Sequence, residues 1–307
     1  MGATTVRWLV LAVVIAVSGT ASVHYAGRER DETAVAAVVA TSGASRDGGG
    51  NRFERLTDPP RTVVTTSTGA VVATLTDGSR TVVLTGPART FGEPKHTRAT
   101  VTSTAWVRLA PRPWMAGAER EDWFDPWLTG AAGDTTPDVL AVAMQYVDGA
   151  PPVRNGAGLR VAGDAAFAED ADVDRYLGVE KGPLDSAGLV RMVFGYRTGY
   201  PLRGDDGAGG GLPRSATAMA ETGPGTRVGP DTRDYSRLQP GDLLFFTATS
   251  ARVSQVGIYL GIDDEGHRRV LASRKSADGP TFGDDGGAST LDGTGGYART
   301  FRTAKRL

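Results

Sequence analysis

Hydrophobic and polar positions change their rhythm several times along this chain. Residues 8–17, Trp8-Leu9-Val10-Leu11-Ala12-Val13-Val14-Ile15-Ala16-Val17, are an unbroken apolar run behind one cation, Arg7, and ahead of the small residues Ser18, Gly19, Thr20, Ala21 and Ser22. A charge, about ten apolar residues and then small residues make the layout of a secretory signal, whereas a membrane-spanning helix wants about 17 to 25 apolar positions. We therefore expect export. Residues 1–27 are read as a cleaved signal peptide or, with Val23 lengthening the run, a retained membrane anchor. From 28 to 57 the chain passes through Ala, Thr and Ser and the run Gly48-Gly49-Gly50 with hardly an aromatic. It lacks the apolar area to offset ordering entropy and reads as a disordered linker.

Alternation with a period of two then takes over. Residues 62–66, 70–76, 81–84 and 100–109 are rich in Val and Thr, and Asp77-Gly78 between two of these runs favours a tight hairpin in which both turn residues take positive φ. These strands make residues 58–112 a small β module. Residues 113–135 carry Trp114, Trp123, Phe124 and Trp127, with Trp106 just before them. Such clustered aromatics either stack on sugar rings or act as glue between the two domains.

The main domain is expected over 136–307. A helix is predicted over 138–147, capped by Thr135 or Thr136 with Pro137 in its first turn, because Val139, Val142, Ala143 and Tyr146 share one face. A second helix follows Gly182-Pro183-Leu184-Asp185, where Leu189, Val190, Val193 and Phe194 repeat at helical spacing, and a third follows Leu212-Pro213-Arg214-Ser215. Strands are predicted at 242–246, 255–262 and 269–273, with Asp263-Asp264-Glu265-Gly266 joining the last two and a closing strand over 297–303. Helices first and antiparallel strands after make an α+β domain.

Composition narrows the chemistry. The chain has 307 residues, 40% hydrophobic and 22% charged, with a formal net charge of -1. That is enough for one good core plus a smaller satellite, and it gives no electrostatic case for nucleic acid. With no cysteine at all there is no disulfide, no thiolate metal site and no thiol nucleophile. The three histidines, His24, His96 and His267, form no pair at metal-ligand spacing, so neither a metal nor another cofactor is implied.

Four short motifs carry more. They are Leu184-Asp185-Ser186-Ala187-Gly188-Leu189-Val190, Leu212-Pro213-Arg214-Ser215, Leu238-Gln239-Pro240-Gly241-Asp242-Leu243, and Gln255-Val256-Gly257-Ile258-Tyr259-Leu260-Gly261. In this order they resemble the NlpC family, the papain-like cysteine peptidases that cut the peptide stems of bacterial peptidoglycan, and the resemblance covers roughly 137 to 307. It implies a papain-type α+β domain with helices packed on an antiparallel sheet. Ser186 stands where the family keeps its nucleophilic cysteine, Gln255 where it keeps its histidine, Ser273 at the loosely aligned third polar position, and Ala187 where a serine is usual.

Ser186 is thus placed in the first turn of a helix, where free N–H groups favour an anion, but a serine needs a positioned base to take its proton. A carboxamide has no basic nitrogen, so Gln255 cannot serve. His267 is predicted about 16 Å away, at about 3.3 Å per strand residue, as a solvated turn residue. Asp185 and Asp242 are read as a helix cap and a turn residue. The expectation is an extracellular protein, secreted or held on the outer face of the cytoplasmic membrane only through its amino-terminal segment. It is expected to be inactive as a peptidase and to retain binding of peptidoglycan stem peptides. Two rivals stand beside it: a hydrolase or acyltransferase using Ser186 with a base from elsewhere, and a regulatory partner of another wall protein.

Overall fold

The computed structural model describes residues 50–93, 95–228, 235–247, 252–283 and 290–307. The expected signal or anchor and most of the expected linker lie outside the described residues. Among the described residues no helix is long and apolar enough to cross a membrane.

The module is a five-stranded antiparallel sheet in sequential order: β1 (Arg52–Thr57), β2 (Pro60–Thr65), β3 (Val71–Thr76), β4 (Thr81–Gly92) and β5 (Thr100–Leu109). It begins earlier than the sequence reading had it, because β1 lies inside the stretch taken as linker and pairs in full register with β2, Arg52 opposite Thr65 and Thr57 opposite Pro60. At Asp77-Gly78 only Gly78 takes positive φ, 77°, so the hairpin there is not the doubly left-handed turn predicted. Val64, Ala73, Leu75, Val82 and Leu84 turn to one face, as alternation requires.

What covers that face is the aromatic stretch. Helix α1 (Phe124–Gly133) lays Phe124 and Leu128 on the sheet, beside a fully buried Trp114. The rings of Trp114 and Phe124 lie 5.0 Å apart, and Trp123 meets Phe124 edge-on at 5.7 Å. The aromatics therefore close the module's own core, and residues 113–135 belong to the module instead of linking it to something else.

The second sheet is six-stranded, in the order β12 (Gly279–Thr281), β11 (Arg268–Arg274), β10 (Val253–Ile262), β9 (Leu243–Thr247), β13 (Phe301–Arg306), β8 (Thr226–Arg227), with every neighbouring pair antiparallel. A two-stranded ribbon, β6 (Val153–Arg154) with β7 (Arg160–Ala162), stands apart. Helix α2 (Val139–Met144) is capped by Asp138, whose carboxylate accepts the Ala141 N–H, so neither threonine caps it. After the single turn α3 (Val173–Tyr176) comes α4 (Ser186–Val190), which continues as a π-helical stretch, Arg191–Arg197; α5 (Ala216–Glu221) follows. Residues 297–300, predicted as strand, instead belong to α6 (Gly296–Thr300), and the closing strand starts only at Phe301.

Strand alternation divides the core around this sheet. Leu243, Phe245, Val256, Ile258 and Leu271 face the helices, while Leu244, Phe246, Tyr259, Val270 and Ala272 face a second cluster completed by Leu291, Tyr297 and Ala304. Both faces are buried, which is why β9 reads as an unbroken apolar run.

The module is not separable from this domain by its packing. Phe91, Val101 and Val107 of β4 and β5 belong to the main core. At the joint, Arg306 and Asp242 form a fully buried pair, with Nε to Oδ1 and Nη2 to Oδ2 both at 2.8 Å, and Arg306 also donates to Thr76 Oγ1 at 2.6 Å and to the Arg237 carbonyl at 3.1 Å. Asp242 accepts the Gln239 N–H at 2.8 Å, closing the turn in which Gly241 takes φ 92°. Removing one member of a buried pair strands the other charge. Arg306→Met is therefore expected to lower stability by about 3–5 kcal/mol, read as an earlier urea midpoint; a midpoint within error of wild type would contradict this account.

Candidate functional site

The start of α4 is built by its own carboxylate. Asp185 is extended, φ -79° and ψ -177°, and its Oδ1 accepts the Gly188 N–H at 2.6 Å, as an N-cap must. Oδ2 takes Arg214 Nη2 at 2.7 Å. Arg214 Nε then approaches Asp172 at 3.7 Å, and Asp172 takes Arg191 Nε with both oxygens at 3.0 Å. The four charges alternate in sign and tie the cap to the loop before α5. This is what the Leu212-Pro213-Arg214-Ser215 motif supplies, together with the Ser215 cap of α5, which accepts the Ala218 N–H.

Gly188 has a steric reason. A Cβ there would lie 2.2 Å from the Ala171 carbonyl oxygen, which accepts the Asp185 N–H. Only a bare backbone lets this turn of helix come so close.

Ser186 therefore sits in the first turn of α4, as expected, and it is 8% exposed. Its Oγ accepts the Val256 backbone N–H at 3.3 Å, the only hydrogen bond to this hydroxyl among the described residues. The partner is a donor. Gln255, next along β10, turns away: its Nε2 donates to the Tyr297 hydroxyl at 2.9 Å, on the other face of the sheet. Tyr297 is 4% exposed and stacks on Phe246 at 4.1 Å and 20°. Burial pushes its phenol well above the ordinary value, against the opposing pull of Arg274 and of the Gln255 bond, so it is neutral and supplies no phenolate base.

Ser273 is buried and donates to the Leu184 carbonyl at 2.6 Å. The structure thus brings Ser273 to the turn before Ser186 and gives it a structural bond. The two described histidines are elsewhere. His96 approaches Asp148 at 3.4 Å, and His267 is half exposed in the β10–β11 turn. In that turn Asp263, Glu265 and His267 place ligand-type atoms within 4.8 Å of one another. Asp263 is already engaged, by Arg269 Nε at 2.6 Å and by the Glu265 and His267 N–H groups, so the cluster reads as a turn lock.

A cavity of about 460 Å³ opens elsewhere, between Val107, Trp127, Asp138 and Arg197. It lies at the far end of the helix that Ser186 begins. Sequence reasoning missed Tyr297 as a site residue because its segment was assigned to a strand. It also missed Arg274, a cation one residue past the third aligned position, whose guanidinium carbon is 5.9 Å from the Tyr297 ring centre. Ser273→Ala deletes the donor to a buried carbonyl, for which the cost is about 1–3 kcal/mol. It is expected to lower the melting temperature by several degrees, and an unchanged value would remove the structural role.

The sequence profile of the NlpC/P60 family matches residues 175–278, a span that contains Ser186, Gln255 and Ser273. A search of curated proteins returned no match. Members of this family are cysteine peptidases that act on peptidoglycan. The matched span holds α4 with its capped start and the strands β9, β10 and β11, and over these residues the chain is similar to the NlpC/P60 family.

Proposed function

We propose that this chain is an exported wall-associated protein whose NlpC/P60 domain, of papain-type arrangement, holds peptidoglycan stem peptides without cutting them. The observation that carries the reading is the environment of Ser186. Its hydroxyl meets a backbone N–H, and the neighbouring Gln255 is committed to Tyr297. An alcohol attacks a peptide carbonyl only as its proton leaves, and none of its described neighbours accepts that proton. The capped helix, the strands and the frame motifs remain, and these are the parts that shape a surface instead of activating a nucleophile.

A second reading is favoured by Tyr297, which lies buried over Gln255 and narrows access from that face. In it the domain contacts another wall protein and not the polymer. Sedimentation with insoluble peptidoglycan separates the two. Under the first reading the purified chain co-sediments and releases no muropeptides. A chain left in the supernatant favours the protein partner, and fragments released by wild type but not by Ser186→Ala would establish a serine hydrolase instead. The double substitution Ser186→Cys with Gln255→His is expected to yield measurable cleavage if the new imidazole turns from Tyr297 toward residue 186; a well-folded double variant without activity would show that the pocket has drifted further.

A further inference from the structure

Among the described residues five arginines are buried: Arg160, Arg191, Arg269, Arg274 and Arg306. Four have a carboxylate within 4.0 Å, respectively Glu180, Asp172, Asp263 and, for Arg306, Asp242. Arg274, 5% exposed, has none among the described residues. It spends one N–H, from Nη2 to the Gly283 carbonyl at 2.7 Å, while Nε and Nη1 are buried without a partner among the described residues. A guanidinium stays charged when buried and offers five N–H donors. A buried charge without a counter-charge is costly unless something polar completes it.

Its surroundings do not complete it. Glu93, from the end of the β4 strand, reaches β12, where Oε2 accepts the Thr281 hydroxyl and the Phe282 N–H, both at 2.9 Å; Oε1 is buried and unpartnered. Burial raises the Glu93 carboxyl above its ordinary value, although those two bonds and the charges of His96 and Arg274 pull it back. No Glu93 oxygen lies within ion-pair distance of the arginine among the described residues, and the bonded oxygen is spent on β12. On the other side stands the neutral Tyr297, on the same sheet face as Gln255.

We propose that Arg274 is the receptor for a carboxylate of the ligand, the free carboxyl end or acidic side chain of a peptide, at the sheet face covered by Tyr297. Each unused nitrogen can donate to a carboxylate oxygen, and a charge-assisted bond in a buried setting is the strong kind. This rests on the peptide-holding function proposed above and names the group in the ligand that is recognised.

The test uses the full chain and a matched pair of probes, N-acetyl-alanyl-alanine and its carboxamide, titrated by calorimetry. The acid is expected to bind about tenfold or more tightly than the amide, and Arg274→Gln to abolish that preference. Equal binding of both probes, no binding of either, or a preference that survives Arg274→Gln would overturn the assignment. If the variant fails to fold, nuclear magnetic resonance of the wild-type Arg274 Nε–H decides: it shifts with the acid and not with the amide, or the proposal fails. Sedimentation with peptidoglycan is read separately. Polymer binding without acid preference rejects Arg274 and leaves the general reading standing, whereas acid preference without polymer binding does the reverse.

Discussion

The buried pair between Asp242 and Arg306 is the contact on which most of this architecture turns. Asp242 closes the Gln239–Asp242 turn that launches β9, and Arg306 comes from the final strand β13, which pairs with β9 in the middle of the six-stranded sheet. The same guanidinium reaches Thr76 of the module. One ion pair therefore registers the sheet, its entry turn and the neighbouring module together. Such pairs cost desolvation and seldom add net stability over an apolar substitute; their value lies in geometry that a greasy contact would not impose.

That geometry is what survives around Ser186. The helix start is held by Asp185, Arg214, Asp172 and Arg191, and from below by Ser273, and none of these bonds requires a thiol or an imidazole. Scaffold and chemistry are independent here because the scaffold's polar groups satisfy one another. The chemical positions have taken other partners: Ser186 accepts from the backbone, and Gln255 serves a phenol. A serine and a carboxamide at these positions thus leave no buried polar group stranded there among the described residues.

Much of this was legible in the sequence, for identifiable reasons. The cap at Asp185 and the turn at Asp242 could be read because short acidic side chains next to Leu184 and after Pro240-Gly241 have few other uses. The strands β9, β10 and β11 were legible as apolar runs between turn residues. What failed was long-range or context-dependent. Residues 113–135 looked like a bridge since nothing local says that Trp114 and Phe124 fold back over the preceding sheet. Residues 297–300 alternate like a strand, yet the chain turns helical there and delivers Tyr297 to Phe246. Arg274 carried no local signal at all, because the lack of a counter-ion for it among the described residues is a property of the folded neighbourhood. β1 was lost to a composition argument that does not see pairing with β2.

The β4–β5 hairpin has a consequence for how such a protein can be taken apart. Phe91, Val101 and Val107 are shared with the main core, and Glu93 is bonded to β12. A cut between the two sheets would therefore bare an oily seam on each half. Shuffling the catalytic-type half onto a different amino-terminal partner would require that partner to bring its own three greasy plugs and an acid of matching reach. The two sheets are therefore expected to unfold together.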